Sequence, residues 1–188
     1  MAYDKELEIR LQFLDETAEY LDTLDDAVMD LSQQRVDIQK INAAMRAAHS
    51  VKGGASMMGF PWLSHLAHRL EDSFKVLKIQ KQSLEIDRPL ENLLLTAVAC
   101  LRILAQEYRQ ALSQQIDSDQ AIDPAWIEAE VEPTLQALHQ RLGDPQAEDA
   151  SSVLAPEEGQ DVLRLLFETE VEGCLQRLEA VFQHPEKP

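Results

Sequence analysis

Residues 49 to 60, His49-Ser50-Val51-Lys52-Gly53-Gly54-Ala55-Ser56-Met57-Met58-Gly59-Phe60, set one histidine among small side chains in a segment whose apolar spacing is helical. Glycine inside a helix costs about 0.5–1 kcal/mol against alanine, so Gly53 and Gly54 together burden this segment by about 1–2 kcal/mol. Stability alone would not select them. On an ideal helix Lys52, Gly53 and Ser56 follow His49 on one face, while Ile41, Ala44, Ala48, Val51, Ala55 and Met58 form a separate buried seam. His49 is therefore expected to point outward, with little bulk one turn beyond it and a cation alongside. A neutral imidazole offers a nucleophilic nitrogen near pH 7. The combination suits a phosphoryl acceptor: Lys52 can balance the charge of a phosphoramidate, and the small face at Gly53, Gly54 and Ser56 leaves room for another protein's active site to dock.

The segment His-Ser-Val-Lys-Gly-Gly-Ala-Ser-Met-Met-Gly resembles the H-box of histidine phosphotransfer (HPt) domains, in particular the amino-terminal domain of CheA-type chemotaxis kinases. Leu66-Ala67-His68-Arg69-Leu70-Glu71-Asp72 is similar to the following helix of that domain, and Phe13-Leu14-Asp15-Glu16 with Leu21 and Leu24 to its first. The resemblance covers roughly residues 5 to 142. It implies that His49 is the phosphorylated residue, Lys52 its neighbouring cation, and His68 and Glu71 its polar surroundings. Glu71 would accept a hydrogen bond from one ring nitrogen and leave the other free to attack, as carboxylates do in catalytic triads. The implied partners are an ATP-dependent kinase catalytic module, in the same parent polypeptide, and a response-regulator receiver whose aspartate takes the group onward. A free-standing HPt shuttle would use the same chemistry, and a purely structural helical adaptor would need no histidine at 49.

The elements that must hold this face are all helical. Leu7, Leu11, Leu14, Ala18, Leu21, Leu24, Val28 and Leu31 predict a first helix over about residues 4 to 33. The second, about 37 to 58, carries His49 and is broken by Gly59 and Phe60. Pro61 opens a third, about 61 to 80, through Leu63, Leu66, Leu70, Phe74 and Leu77. A fourth runs from about Asp87 to residue 114. Asp123-Pro124 opens a fifth, which Pro133 should kink or interrupt before Leu135, Leu138 and Leu142. The expected fold is an all-α antiparallel bundle of four long helices plus a fifth, over residues 1–142. Residues 143–160, rich in Pro, Ser, Asp and Glu, read as a linker, and 161–188 as an additional helix. Leu165, Phe167, Glu170, Leu175 and Leu178 repeat the spacing of Leu11, Phe13, Glu16, Leu21 and Leu24, the pattern a second HPt domain would begin with.

The 188 residues carry 17 basic and 34 acidic side chains, a net charge of −17 that leaves no basic surface for nucleic acid. The six glycines form neither a Walker loop nor a kinase lid, so ATP and magnesium are expected on partner modules and no cofactor in this chain. His65, His68 and Glu71 share a helix without the Glu-x-x-His pairs of a di-metal bundle, and no metal is expected. Trp62 and Trp126 follow helix starts and read as anchors of the bundle. Two cysteines, Cys100 and Cys174, make a disulfide framework an unlikely design and a reducing, cytoplasmic setting the natural one. No run approaches the roughly 18 apolar residues of a membrane span, and the acidic start (Asp4, Glu6, Glu8) is unlike a signal peptide, so no direct membrane insertion is expected.

Overall fold

The computed structural model describes residues 2–33, 36–80 and 84–145. The long helices are α1 (Ala2–Val28), α2 (Ile38–Met58), α3 (Pro61–Ile79) and α4 (Arg88–Ser113). A 3-10 turn (Ser118–Gln120), a short α5 (Pro124–Trp126), a π turn (Ile127–Val131) and α6 (Glu132–Leu142) complete the described fold. α1 packs on α2 and α4, α2 on α3, and α3 on α4, closing a four-helix bundle, with α6 laid against α3 and α4. The proposed linker and the helix expected over 161–188 lie outside the described residues.

Local chemistry sets the boundaries. Asp37 caps α2 by accepting from the Gln39 and Lys40 amides at 2.8 and 3.4 Å. Gly59 ends α2 in the left-handed region, at φ 74°, which lets the Phe60 amide reach back to the Ala55 carbonyl at 2.8 Å. Asp87 caps α4 through the Leu90 amide at 3.0 Å.

One boundary differs from the sequence reading. α1 stops at Val28, not near residue 33, because the chain turns at Asp30, whose φ is 61°. Leu31 keeps its place in the core from within that turn, which is why the apolar spacing continues past the helix end. Pro133 interrupts the fifth helix before Leu135, as expected: the π turn before it satisfies the Glu132 amide through the Ile127 carbonyl, and α6 begins there. Proline has no amide to donate and its ring crowds the carbonyl four residues back, so the wider π turn accommodates both problems. The Thr134 hydroxyl donates to the Glu130 carbonyl at 2.6 Å in the same turn.

The core runs along the whole bundle, through Leu21, Leu24, Ile41, Val51, Leu70, Phe74, Leu94 and Leu101 among others, and includes Cys100 as a buried free thiol. α4 is, by length and composition, apolar enough to cross a membrane, although no unbroken apolar run reveals it in the sequence. Its apolar face is buried within the bundle here, at Leu94, Leu101, Leu104 and Tyr108. At the end nearest the α2–α3 junction Phe60 is fully buried, stacked on Phe13 at 6.2 Å and tilted against Tyr108 at 4.6 Å between ring centroids. That cluster fixes how α3 leaves α2, and with it the relation between His49 and the side chains of α3. Trp62 and Trp126 pack against the core as partly buried anchors.

Candidate functional site

α2 turns Ile41, Ala44, Ala48, Val51 and Ala55 into the core, as their spacing requires, and leaves His49 on the outside with 68% of its side chain exposed. The neighbouring α3 supplies the opposite behaviour. Glu71, on the edge of the core-facing side of α3, is buried, its side chain only 8% exposed. Its carboxylate meets three nitrogens. Lys52 Nζ lies 2.6 Å from Oε2, Lys75 Nζ lies 2.8 Å from Oε1, and His49 Nδ1 lies 3.4 Å from the same Oε1. Lys75 also pairs with Asp72 at 3.1 Å, and His68 Nε2 stands 3.5 Å from Asp72 Oδ2. The Ser64 hydroxyl donates to the Lys52 carbonyl at 3.0 Å and fastens α3 to α2 at this level.

The electrostatics follow from that geometry. Burial by itself pushes the Glu71 carboxyl up, but the ammonium groups of Lys52 and Lys75 overcome it and bring its pKa down to about 2. Glu71 is thus a fixed carboxylate, an acceptor that cannot donate. A ring nitrogen facing it is favourable only with its proton on, so of the two neutral tautomers the geometry favours the one with hydrogen on Nδ1 and the lone pair on Nε2. That lone pair is the nucleophile the exposed ring offers.

The residues singled out in the sequence separate into different roles. His49, Lys52 and Glu71 form one connected group. His68 lines the cleft beside them, about 740 Å³ in volume, together with Lys52, Gly53, Ser56 and Ser64, and its described ion pair is to Asp72. Ser56 is exposed on that side, and a Cβ added at Gly53 would meet nothing within 4 Å. Gly54 is a correction to the docking face. A Cβ there would run into the Phe13 ring, with Cδ2 and Cζ at 2.8 and 2.9 Å, so this glycine makes room for α1 and not for a visitor. His65 lies against Trp62, with ring centroids 5.9 Å apart. Among the described residues no three His, Cys, Asp or Glu side chains converge as a metal site would require.

Lys75 was missed in the sequence, and Asp72 and Met57, though within the quoted motifs, were given no role there. Lys75 follows Glu71 by four residues, a spacing that puts opposite charges together on a helix, and this was the available signal. Met57 is 79% exposed and lies eight residues after His49, off the core seam yet on the histidine's side of α2.

The two glycines give a direct stability test. Gly53→Ala gains helix propensity in open space and is expected to raise the unfolding free energy by about 0.5–1 kcal/mol. Gly54→Ala gains the same propensity but displaces an aromatic ring, which costs about 1–3 kcal/mol. Urea denaturation should therefore rank Gly54→Ala at least about 1 kcal/mol below Gly53→Ala; equal stabilities would show that Phe13 moves aside freely.

The Hpt domain family matches residues 8–144 of this chain. The chain belongs to that family, as the residues around His49 suggested. Chemotaxis protein CheA of Klebsiella aerogenes is 32% identical over 107 residues, which are 57% of this chain and 16% of that protein. Chemotaxis protein CheA of Cereibacter sphaeroides is 30% identical over 166 residues, 81% of this chain and 23% of that protein. The chain thus spans about a quarter or less of the curated relatives it matches. The phosphorylated P1 domain of CheA3 from R. sphaeroides, solved in complex with CheY6, shares the fold at a TM-score of 0.57 and 19% identity, covering 72% of this chain and 98% of that one.

Proposed function

We infer that this domain is the phosphoacceptor of a two-component phosphorelay and that His49 Nε2 is the atom that carries the phosphoryl group. The observation that supports this most is the pairing of an exposed imidazole with a buried carboxylate that two lysines keep ionised. Glu71 holds the Nδ1 proton and directs Nε2 outward, and it offsets the positive charge that the ring acquires as Nε2 bonds to phosphorus. In the first step the Nε2–P bond forms as the P–O bond to ADP breaks, the ATP and magnesium being held by a kinase module. In the second a receiver aspartate forms an O–P bond as the Nε2–P bond breaks, with magnesium on the receiver. The open surface at Gly53 and Ser56 is where those partners would approach.

The names of the relatives favour a CheA-type chemotaxis kinase as the parent protein, working in the cytoplasm. This chain would then be its substrate domain and not a kinase by itself. The test is to incubate the chain with the catalytic fragment of a CheA-type kinase, magnesium and labelled ATP, and then to add a receiver domain. One equivalent of acid-labile, base-stable label that moves to the receiver is the expected result. Label that survives acid, or none at all, would refute the reading.

A further inference from the structure

Lys75 is an unusual neighbour for an activating carboxylate. Glu71 already has a cationic partner in Lys52, at 2.6 Å on Oε2, which leaves Oε1 as the oxygen available to other groups. The second lysine sits on the other oxygen, Oε1, at 2.8 Å, and Oε1 is the atom that His49 Nδ1 must use. The histidine's own contact is 3.4 Å, beyond the usual 2.7–3.2 Å of an N–H···O bond. The closer, charged donor has the better claim on that oxygen. Lys75 therefore weakens the carboxylate toward His49, and its positive charge, one oxygen away from the ring, opposes any charge the imidazole gains.

Building on the phosphoacceptor reading, we propose that Lys75 is a positioning residue that damps His49: by occupying Glu71 Oε1 it slows both entry and exit of the phosphoryl group and lengthens the time His49 holds it. Entry and exit pass through separate transition states, with different second partners on phosphorus, but in each Nε2 is partly bonded to phosphorus and the ring, carrying its Nδ1 proton, is partly positive. A neutral histidine reaches the first by attack. A neutral phosphohistidine reaches the second by taking up a proton at Nδ1 so that imidazole can leave. A cation opposing that charge raises both barriers. The groups facing the ring are Glu71 with its partner Lys75 from α3, and Lys52, itself bound to Glu71, on α2, while Asp72 and His68 lie one step further along α3. Removing Lys75 leaves Glu71 anchored by Lys52, so the carboxylate stays in place and turns wholly to the ring.

The test uses the full chain with potassium phosphoramidate as donor, where the Nε2–P bond forms as the P–N bond to departing ammonia breaks. It is run at pH 8.5, with wild type, Lys75→Met and Lys75→Arg. The methionine keeps the aliphatic packing of a side chain that is 24% exposed, and the arginine keeps the charge. Lys75→Met is expected to take up label about threefold to tenfold faster and to lose it by hydrolysis faster by a similar factor, with Lys75→Arg within about twofold of wild type. The ¹⁵N resonance of His49 Nδ1 should move in the methionine variant as its hydrogen bond shortens. Slower labelling in Lys75→Met, or an Nδ1 resonance and rates equal to wild type, would overturn the proposal. If wild type takes no label at all, the phosphoacceptor reading falls, and the Nδ1 resonance alone then decides whether Lys75 withholds Oε1 from the ring.

Discussion

His49→Gln is expected to abolish acid-labile phosphorylation while leaving the fold untouched. The glutamine amide nitrogen has its lone pair delocalised into the carbonyl and cannot attack phosphorus, so the loss should be complete to the limit of detection, not a reduced rate. Stability should change by less than about 0.5 kcal/mol, as for other exposed positions, because the His49 side chain is 68% exposed and makes one long hydrogen bond. Glu71 keeps both lysines when the ring is gone, so no buried charge is stranded. Labelling with ATP and a CheA-type catalytic fragment, beside circular dichroism and a urea titration, checks both halves. Residual label of acid-labile character would place the acceptor on another histidine; a large fall in stability would mean that the ring supports the bundle.

Glu71→Gln should show the largest stability effect and a strong kinetic one. The Glu71 pKa falls from 4.5 to about 2 on folding. At about 1.36 kcal/mol per unit, a fall of roughly 2.5 units corresponds to about 3 kcal/mol of stability at neutral pH. Because the folded pKa is the lower one, this contribution is fully present above pH 4.5 and is lost as the pH drops toward 2. The amide variant should therefore be about 3 kcal/mol less stable at pH 7, with the gap to wild type closing between pH 4.5 and 2. Urea titrations across that range measure it. A gap that persists unchanged at pH 2 would assign the loss to packing instead of charge. Labelling of the folded variant should slow by about tenfold, since a neutral amide stabilises the charged ring less well. Loss of Glu71 and loss of Lys75 are thus expected to act on His49 with opposite sign, a contrast that a general disturbance of the α2–α3 contact could not produce.

Local pattern carried much of this protein. The alternating threes and fours of α2 decide that Ala48, Val51 and Ala55 face inward, and a helix that buries those residues must expose His49. Asp37, Gly59 and Asp87 mark element ends through bonds made within a few residues of themselves, and Pro61 opens α3 by its fixed backbone angle, so they too are readable in order along the chain. Resemblance to the H-box supplied the partner on α3, which spacing alone does not reveal.

What sequence could not decide is what lies across the gap between helices. Gly53 and Gly54 are adjacent and identical, yet one faces open solvent and the other the ring of Phe13, because the two point about 100° apart around α2 and only one direction meets α1. Lys52 and Lys75 are each an ordinary surface lysine by type. Lys75 reaches Glu71 within one turn of α3, but only the packing of α2 on α3 brings Lys52 and His49 onto the same buried carboxylate. The exposure of His49, the proposed acceptor, was therefore local information. The orientation of its ring is a tertiary property, since it depends on a contact of 3.4 Å between His49 and Glu71, twenty-two residues apart on different helices, which only the folded bundle defines.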